Sequence, residues 1–285
     1  TMPINTAAVG LETDVYRFSI TARQCLAYAA ALGETADVYF DDARPGGIVA
    51  VPAMTVALEW PSSRDIRVMP GFGATDAERL QGVHAAQDTY FHQLIRPGDQ
   101  LNTRGRVISV ERIRPGTRII FRFDITDSTG DTVVTSYSTV IYRGVETEGD
   151  DVIDEVAPAW LGGDPPAAWA ETIVPVAREL PHVYSECADI WNPIHTEREV
   201  ALAAGLPDII LHGTCTWALA AKAVVEAHAD GDPSSLARFS GRFTGMVIPG
   251  GIITLRHGAV ENGAHVEVIA DDGTVAISEG RAVFR

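Results

Sequence analysis

The chain repeats one layout twice, and no other feature of its sequence limits the possible folds as strongly. Arg96-Pro97-Gly98-Asp99 in the first half has a counterpart in Ile248-Pro249-Gly250-Gly251 in the second half. Strand-like segments follow each of them and end at Arg143 and Arg285, which are separated by half the length of the chain. This repeat indicates a tandem duplication of one domain.

Both halves are predicted to pack strands around one apolar helix. Residues Arg118–Ile125 alternate with the period of two of a half-buried strand, and Gly130 and Gly273 supply the positive φ of predicted hairpin turns. Gly213 to Val225 is apolar on almost every face, which predicts a buried helix, and Pro52 to Trp60 is its counterpart. We expect an α+β fold of two tandem hotdog domains, each a curved antiparallel sheet wrapped around a long central helix.

A linker is predicted between the two halves. The segment from Gly144 to Pro181 is rich in Asp, Glu and Pro and contains Gly162-Gly163-Asp164-Pro165-Pro166, a composition typical of linkers. We expect this linker to cross the surface of the first sheet. The predicted units are residues 1–145, the linker at 146–180, and residues 181–285.

Charge and cysteine content exclude several classes of function. The 38 acidic residues outnumber the 22 basic ones, so a net charge of −16 disfavours binding to nucleic acid or to an anionic membrane. The three cysteines have no CxxC spacing, no metal-ligand or cofactor motif is found, and nothing at the amino terminus resembles a signal peptide. We therefore expect a cytoplasmic protein without metal or cofactor.

The segment from Tyr184 to His195 is the densest polar stretch of the second half. Asn192-Pro193 predicts a turn, because proline forces the preceding residue out of the helical region. Thr196 and Glu199 have the spacing of a capping box, which predicts a helix from about Glu197 to Ala204. Two rigid neighbours would then fix the backbone of His195. The alternative is a histidine that only hydrogen-bonds to the turn.

His212-Gly213 stands at the predicted start of the buried helix. The first amides of a helix have no acceptor within the helix and carry the positive end of its dipole. Glycine allows a ligand to approach this backbone closely, so a carbonyl oxygen bound there would be polarised. The alternative is that Gly213 only permits close packing of the helix on the sheet.

The stretch from Tyr184 to Thr216 resembles the hydratase motif of the MaoC-like dehydratases, the R-specific (type 2) enoyl-CoA hydratases. Asn192-Pro193-Ile194-His195-Thr196 and the later His212-Gly213 carry the resemblance, and the two-copy layout is similar to double-hotdog members with a degenerate first half. The resemblance implies a cofactor-free hydro-lyase that adds water across, or removes it to form, the α,β double bond of an acyl-CoA or acyl carrier protein thioester. The product of hydration would be the R-3-hydroxyacyl thioester.

The same resemblance implies a role for each matching residue. His195 is the acid/base histidine and the amide of Gly213 is the oxyanion donor. Alignment through Asn192 places the aspartate of the motif on Ile190, so the neighbouring Asp189 is the predicted carboxylate, and Glu186 is the alternative. The predicted substrate-binding residues are Trp191, Asn192, Pro193, His212 and Thr214.

The first half lacks these features, and we expect it to form the wall that receives the acyl chain. Pro52 stands where the second half has Gly213 and offers no N–H group. Glu34 is predicted to be a surface carboxylate, and the alternative is a remnant of a catalytic site. The other histidines are expected in solvated or hydrogen-bonded roles: His84, His92, His182, His228, His257 and His265. Four arginines are candidates for CoA phosphates, with ordinary strand-edge roles as the alternative: Arg96, Arg238, Arg242 and Arg256.

Two other functions stay open from the sequence. Hotdog proteins also hydrolyse thioesters, and the apolar Ile190 is compatible with a module that binds acyl thioesters without turnover. A homodimer that pairs sheet edges is a further option.

Overall fold

Thirteen strands and seven α-helices make up the computed structural model, which describes residues 3–285. The strands are β1 (Ile4–Asn5), β2 (Tyr16–Ser19), β3 (Gly82–Phe91), β4 (Gln100–Ile113), β5 (Gly116–Asp127), β6 (Thr132–Arg143), β7 (Thr147–Glu148), β8 (Val152–Ile153), β9 (Ala170–Pro175), β10 (Leu236–Phe243), β11 (Ile252–Val260), β12 (Gly263–Ala270) and β13 (Val275–Phe284). The helices are α1 (Ala22–Ala31), α2 (Asp37–Phe40), α3 (Thr55–Ile66), α4 (Asp76–Arg79), α5 (Leu180–Ala188), α6 (Arg198–Ala203) and α7 (Gly213–His228).

Eleven of the thirteen strands, from both halves, join in one antiparallel sheet, and β1 and β7 form a separate parallel pair. Its order is β2-β4-β5-β6-β3 in the first half and β10-β13-β12-β11-β9 in the second, and β8 adds to the edge of β4. The halves meet where β3 pairs with β10. At this seam Arg238 donates to both carboxylate oxygens of Asp88, at 2.8 and 2.6 Å. The α+β double-hotdog prediction is confirmed.

A central helix packs against the sheet in each half. In the second half α7 begins at Gly213, as predicted, and its fully buried Trp217 lies against Phe239 of β10. In the first half Pro52 opens a 3-10 turn, and α3 follows directly and extends to Ile66, beyond the predicted end at Trp60. Buried apolar side chains of both halves form one shared core, and a second buried cluster that contains Phe72 and Phe121 lies within the first half.

Helices α1 and α5 are equivalent in the two halves and pack against each other. The hydroxyl groups of Tyr28 on α1 and Tyr184 on α5 lie 3.0 Å apart. Each helix ends in the same turn, because the amide of Glu34 bonds to Ala29 O and the amide of Ile190 bonds to Ser185 O, both at 3.0 Å. The two halves are therefore related by an approximate twofold arrangement.

The linker runs along the sheet over both halves. Asp154 and Glu155 pair with arginines of β4 and β5, and Trp160 and Trp169 then lie under Arg242 and Arg256 of the second half. The linker thus follows the first sheet, as expected, and continues across the second. No helix within residues 3–285 is long and apolar enough to span a membrane.

Candidate active site

The turn after α5 decides which side chains face the interior. Asp189 adopts a left-handed conformation with φ of 53°, which ends the helix. Its side chain is exposed, whereas the next residue, Ile190, is only 5% exposed and belongs to the core. An apolar side chain therefore occupies the inward position of this turn.

His195 lies on the predicted rigid turn. A 3-10 turn spans Pro193–His195, and the His195 amide donates to Asn192 O at 3.0 Å. The predicted capping box is wrong: Glu197 precedes α6, and the buried Thr196 hydroxyl has no hydrogen-bond partner among the described residues. Thr196 closes the 3-10 turn with φ of −124° and ψ of −25°, a backbone conformation in which it does not cap the next helix.

Hydrogen bonding and burial fix the state of the His195 ring. Nδ1 lies 2.8 Å from the carbonyl oxygen of Ile210, so Nδ1 carries a proton and donates it. Burial lowers the pKa of His195 to about 4, although the bond to Ile210 favours protonation. At neutral pH the ring is uncharged, and its Nε2 carries a lone pair that can accept a proton.

His212 supports His195 from behind. The two imidazole rings stack with centroids 3.8 Å apart and an interplanar angle of 24°. His212 is 2% exposed, and its Nε2 lies 3.0 Å from the hydroxyl oxygen of the buried Ser185. Burial, followed by the charge that His195 would carry, keeps the pKa of His212 far below its ordinary value. Protonation of His212 is therefore disfavoured when His195 is protonated, so the two rings together carry at most one positive charge.

Gly213 directly follows His212 and opens α7, so its amide has no acceptor within the helix. The ring of Phe243 lies 3.2 Å from the place that a Cβ atom on Gly213 would occupy. A larger residue would therefore push this ring away. Thr214, the next residue, accepts a hydrogen bond from Tyr184 Oη at 3.3 Å. Ring stacking thus places the His195 imidazole against His212, the residue that directly precedes the start of α7.

The predicted carboxylates lie on the exposed side of the turn. Asp189 and Glu186 are both exposed, and the Asp189 charge contributes, after Asp65, to raising the pKa of Arg64 on α3. Within the described chain no hydrogen bond or ion pair joins Asp189 to His195. The assignment of Asp189 stays a prediction.

The predicted substrate-binding residues differ in exposure. Trp191 is 50% exposed beside the turn, Pro193 is exposed, and Asn192 and Thr214 are partly buried. His212 is buried against His195 and Ser185. These assignments also stay predictions.

Two expectations for other residues need correction or refinement. Glu34 is buried, not on the surface: it ends α1 in the inward position that Ile190 has after α5, with Lys222 Nζ 4.0 Å away. Burial raises the pKa of Glu34 to about 7.

Three of the arginines proposed for CoA phosphates form ion pairs with carboxylates of the sheet instead, which is the ordinary role of a strand arginine. They are Arg238, Arg242 and Arg256.

His84, for which the sequence indicates only a solvated or hydrogen-bonded role, lies next to Phe243, the ring beside Gly213. Its ring lies 4.5 Å, centroid to centroid, from that of Phe243. In the described part of the chain no three His, Cys, Asp or Glu side chains group as metal ligands.

Comparisons with known proteins find matches for both halves of the chain. Residues 178–280 match the family described as MaoC like domain, and residues 7–136 match the FAS1-like dehydratase domain region. Enoyl-CoA hydratase ChsH3 of Mycobacterium tuberculosis is 36% identical over 107 residues, which cover 38% of this chain and 34% of that protein. The chain thus spans about a third of the length of this relative.

Two further proteins match over nearly the whole chain. The 3-hydroxyacyl-thioester dehydratase Y of Mycobacterium tuberculosis is 25% identical over 301 residues, covering 98% of this chain and 100% of its own. The crystal structure of a MaoC-like dehydratase from Phytophthora capsici superposes with a TM-score of 0.81 at 21% identity, covering 97% of this chain and 96% of the other.

Proposed function

We propose that this chain, in which residues 178–280 match the MaoC like domain and residues 7–136 match the FAS1-like dehydratase domain region, is a hydro-lyase acting on α,β-unsaturated or 3-hydroxy acyl-CoA thioesters. One observation carries the proposal. The neutral imidazole of His195, whose Nδ1 is bound to Ile210 O, is stacked on His212, and the next residue along the chain supplies the first amide of a buried helix. Hydration requires these two functions.

The proposed reaction proceeds in two steps. Water donates a proton to Nε2 of His195 as its oxygen bonds to Cβ, and the electron pair of the double bond moves toward the thioester carbonyl. The Gly213 amide, at the positive end of α7, stabilises the negative charge on that oxygen. The His195 imidazolium then returns the proton to Cα. Water and substrate are thus converted to the 3-hydroxyacyl thioester, and the reverse order gives dehydration.

Crotonyl-CoA provides a direct test, because hydration removes its enoyl absorbance. We expect turnover by the unmodified chain and a loss of roughly 100-fold or more in kcat for His195→Ala. His92→Ala is the matched control, because His92 is exposed directly after β3, and it should retain full activity. Release of free thiol would indicate thioester hydrolysis instead. Binding without turnover across enoyl-CoA and 3-hydroxyacyl-CoA esters of varied length would indicate a non-catalytic module.

Finer features are part of the same proposal. We propose CoA as the carrier, because acyl carrier proteins are acidic and the chain carries a net charge of −16. The first half is proposed as the acyl wall, and the cytoplasm as the site of action. Rates with CoA and acyl carrier protein esters of the same acyl group test the choice of carrier. Sedimentation tests whether the chain forms a homodimer.

A further inference from the structure

A cleft lies beside the start of the central helix of the first half, at Pro52. It has a volume of about 360 Å³, and most of its lining is apolar. Two polar side chains of the first half also line it, Glu34 and Tyr39. In the described chain neither residues 192–195 nor residues 212–214 contribute to this lining. The cleft is therefore separate from the site around His195.

Both polar residues are equivalent to residues of the turn that carries His195. Glu34 corresponds to Ile190, because the same hydrogen bond closes the turns after α1 and α5. Tyr39 and His195 each stand five residues further along the chain, and each donates its amide to the carbonyl of the third residue before it, at 3.0 Å. The first half thus has a carboxyl and a phenol group where the second half has an apolar side chain and an imidazole.

Neither polar group has a hydrogen-bond partner among residues 3–285. Tyr39 is 4% exposed, and its hydroxyl forms no hydrogen bond within this part of the chain. Glu34 is 6% exposed, and the ammonium nitrogen of Lys222 lies 4.0 Å from its carboxyl oxygen, which is beyond hydrogen-bond distance. Buried polar groups are normally paired, so two unpaired groups in one cleft indicate that a ligand completes them.

The fold does not need a carboxyl group at this position. Ile190 fills the equivalent position of the second half and belongs to the core. The position of Lys222 does not depend on Glu34 either, because its Nζ donates to Gly33 O at 2.6 Å and lies 3.7 Å from Glu226. Burying a carboxyl group costs free energy that an apolar side chain avoids. Glu34 therefore serves a purpose other than stability.

The charges around the cleft favour a neutral ligand. Lys222 would repel a cation, and the neighbouring carboxylate of Glu226 would repel an anion. Burial raises the pKa of Glu34 to about 7; the charge of Lys222 opposes this shift and that of Glu226 adds to it. Burial, followed by the charges of Glu34, Glu226 and Asp232, also raises the pKa of Tyr39. Near neutral pH the phenol and a large share of the carboxyl groups can therefore donate a proton.

The donors of this cleft must come from side chains, because Pro52 has no N–H group where the second half has Gly213. A tyrosine and a protonated carboxyl group are effective donors to a carbonyl oxygen in an apolar site. We propose that the cleft is a second ligand site, in which Tyr39 and Glu34 donate to the carbonyl oxygen of a small neutral acyl compound whose hydrocarbon chain contacts the apolar lining. Binding there does not depend on the reaction at His195.

S-methyl thiobutyrate is a suitable probe, because it has one carbonyl group and no double bond to hydrate. The chain is labelled with ¹³C at Cζ of its seven tyrosines, and the spectrum of Tyr39→Phe identifies the Tyr39 resonance. We expect this resonance to move when the thioester is added to the unmodified chain. Butyl methyl sulfide has the same skeleton without the carbonyl oxygen and should bind roughly tenfold more weakly.

Two replacements of Glu34 test the carboxyl group as a donor. Glu34→Ile copies the second half and should weaken thioester binding roughly tenfold. Glu34→Gln keeps an N–H donor but has no titrating proton, so its affinity should stay the same between pH 6 and pH 8. The affinity of the unmodified chain should fall over this range as Glu34 ionises. Glu261→Gln, in an exposed turn, is the control and should follow the unmodified chain.

Thermal unfolding confirms that each variant is folded, and the pH profile of Glu34→Gln decides alone if Glu34→Ile is not. An unmoved Tyr39 resonance at the solubility limit of the thioester would overturn the inference. Equal binding of the thioester and the sulfide would do so too, since the cleft would then be an apolar cavity only. Equal pH profiles of the unmodified chain and Glu34→Gln would exclude the carboxyl group as a donor. None of these measurements requires turnover, so failure of the proposed function would leave them unchanged.

Discussion

At the scale of single residues, one left-handed position decides which carboxylate faces the interior. Asp189 in the second half and Gly33 in the first both have positive φ, and the residue that follows each of them points into the core. That inward residue is Glu34 in one half and Ile190 in the other. The inward position after the turn is thus acidic in the first half and apolar in the second half.

Asp189→Asn tests whether the exposed carboxylate takes part in the reaction. Asparagine tolerates the left-handed conformation, so the turn should persist. If Asp189 is the carboxylate that acts with His195, as predicted, Asp189→Asn should lower kcat by roughly 100-fold or more, whereas Glu186→Gln should stay within about threefold of the unmodified chain. Full activity of Asp189→Asn would exclude Asp189 from the reaction. Steady-state kinetics on crotonyl-CoA measure both. A loss of roughly 100-fold in Asp189→Asn alone would establish Asp189 as the partner of His195.

The sequence predicts those site residues that lie close together along the chain. His195 and Gly213 belong to one motif, and the Asn192-Pro193 turn forms as predicted. His84 could not be found in this way, because it is separated from the motif by about a hundred residues and approaches it only through the pairing of β3 with β10. Glu34 was misjudged because a lone glutamate after a helix is usually exposed.

At the scale of elements, hydrophobic pattern predicts the helices better than local capping does. The apolar stretch that starts at Gly213 forms α7, since burial on all faces selects a helix enclosed by the sheet. The Thr196 capping box fails, because the preceding 3-10 turn determines the backbone of Thr196 first. Helix α3 is an exception, because it buries Glu59. A buried carboxyl group of this kind cannot be predicted from the hydrophobic pattern alone.

The buried Glu59 predicts a pH dependence of stability. Burial raises its pKa to about 7 from an ordinary value of 4.5, although Ser136 and Gln87 favour the charged form. The folded chain therefore keeps a proton that the unfolded chain releases between pH 4.5 and 7. As far as Glu59 is concerned, the free energy of unfolding is therefore highest below pH 4.5. It falls by up to about 3 kcal/mol as the pH rises to 7.

Urea unfolding at several pH values measures this effect. Glu59→Gln carries no titrating proton, so its free energy of unfolding should change less between pH 5 and 8 than that of the unmodified chain. Glu261→Gln, in the exposed turn between β11 and β12, is the control and should keep the original slope. Identical slopes for the Glu59 and Glu261 variants would show that Glu59 does not titrate in this range.

At the scale of the whole molecule, the two halves are held together on both sides of the sheet. The shared core and the contact of α1 with α5 lie on the inner side. On the outer side the linker passes over the seam, where Ala159 O accepts a hydrogen bond from Arg238 at 3.0 Å. The repeat predicts the two units, but the route of the linker depends on side chains of both halves and could not be predicted from either.

The seam ion pair should couple the stability of the two halves. The side chains of Arg238 and Asp88 are only 12% and 6% exposed, and Arg238 also lies over the ring of Tyr90. Replacing Asp88 with Asn leaves the buried guanidinium without its counter-charge, and we expect the free energy of unfolding to fall by about 2–4 kcal/mol. Glu279→Gln breaks an exposed pair between β13 and Arg242 of β10, and should cost less than about 0.5 kcal/mol.

Addition of Arg238→Met to Asp88→Asn separates the ion pair from the pairing of the strands. Removing both charges leaves no unpaired guanidinium at the seam, so the double variant should recover at least half of the loss measured by urea unfolding. The transition should stay single, because the core is shared by both halves. Two separate unfolding transitions in the unmodified chain, or an Asp88→Asn variant as stable as Glu279→Gln, would show that the seam does not couple the halves.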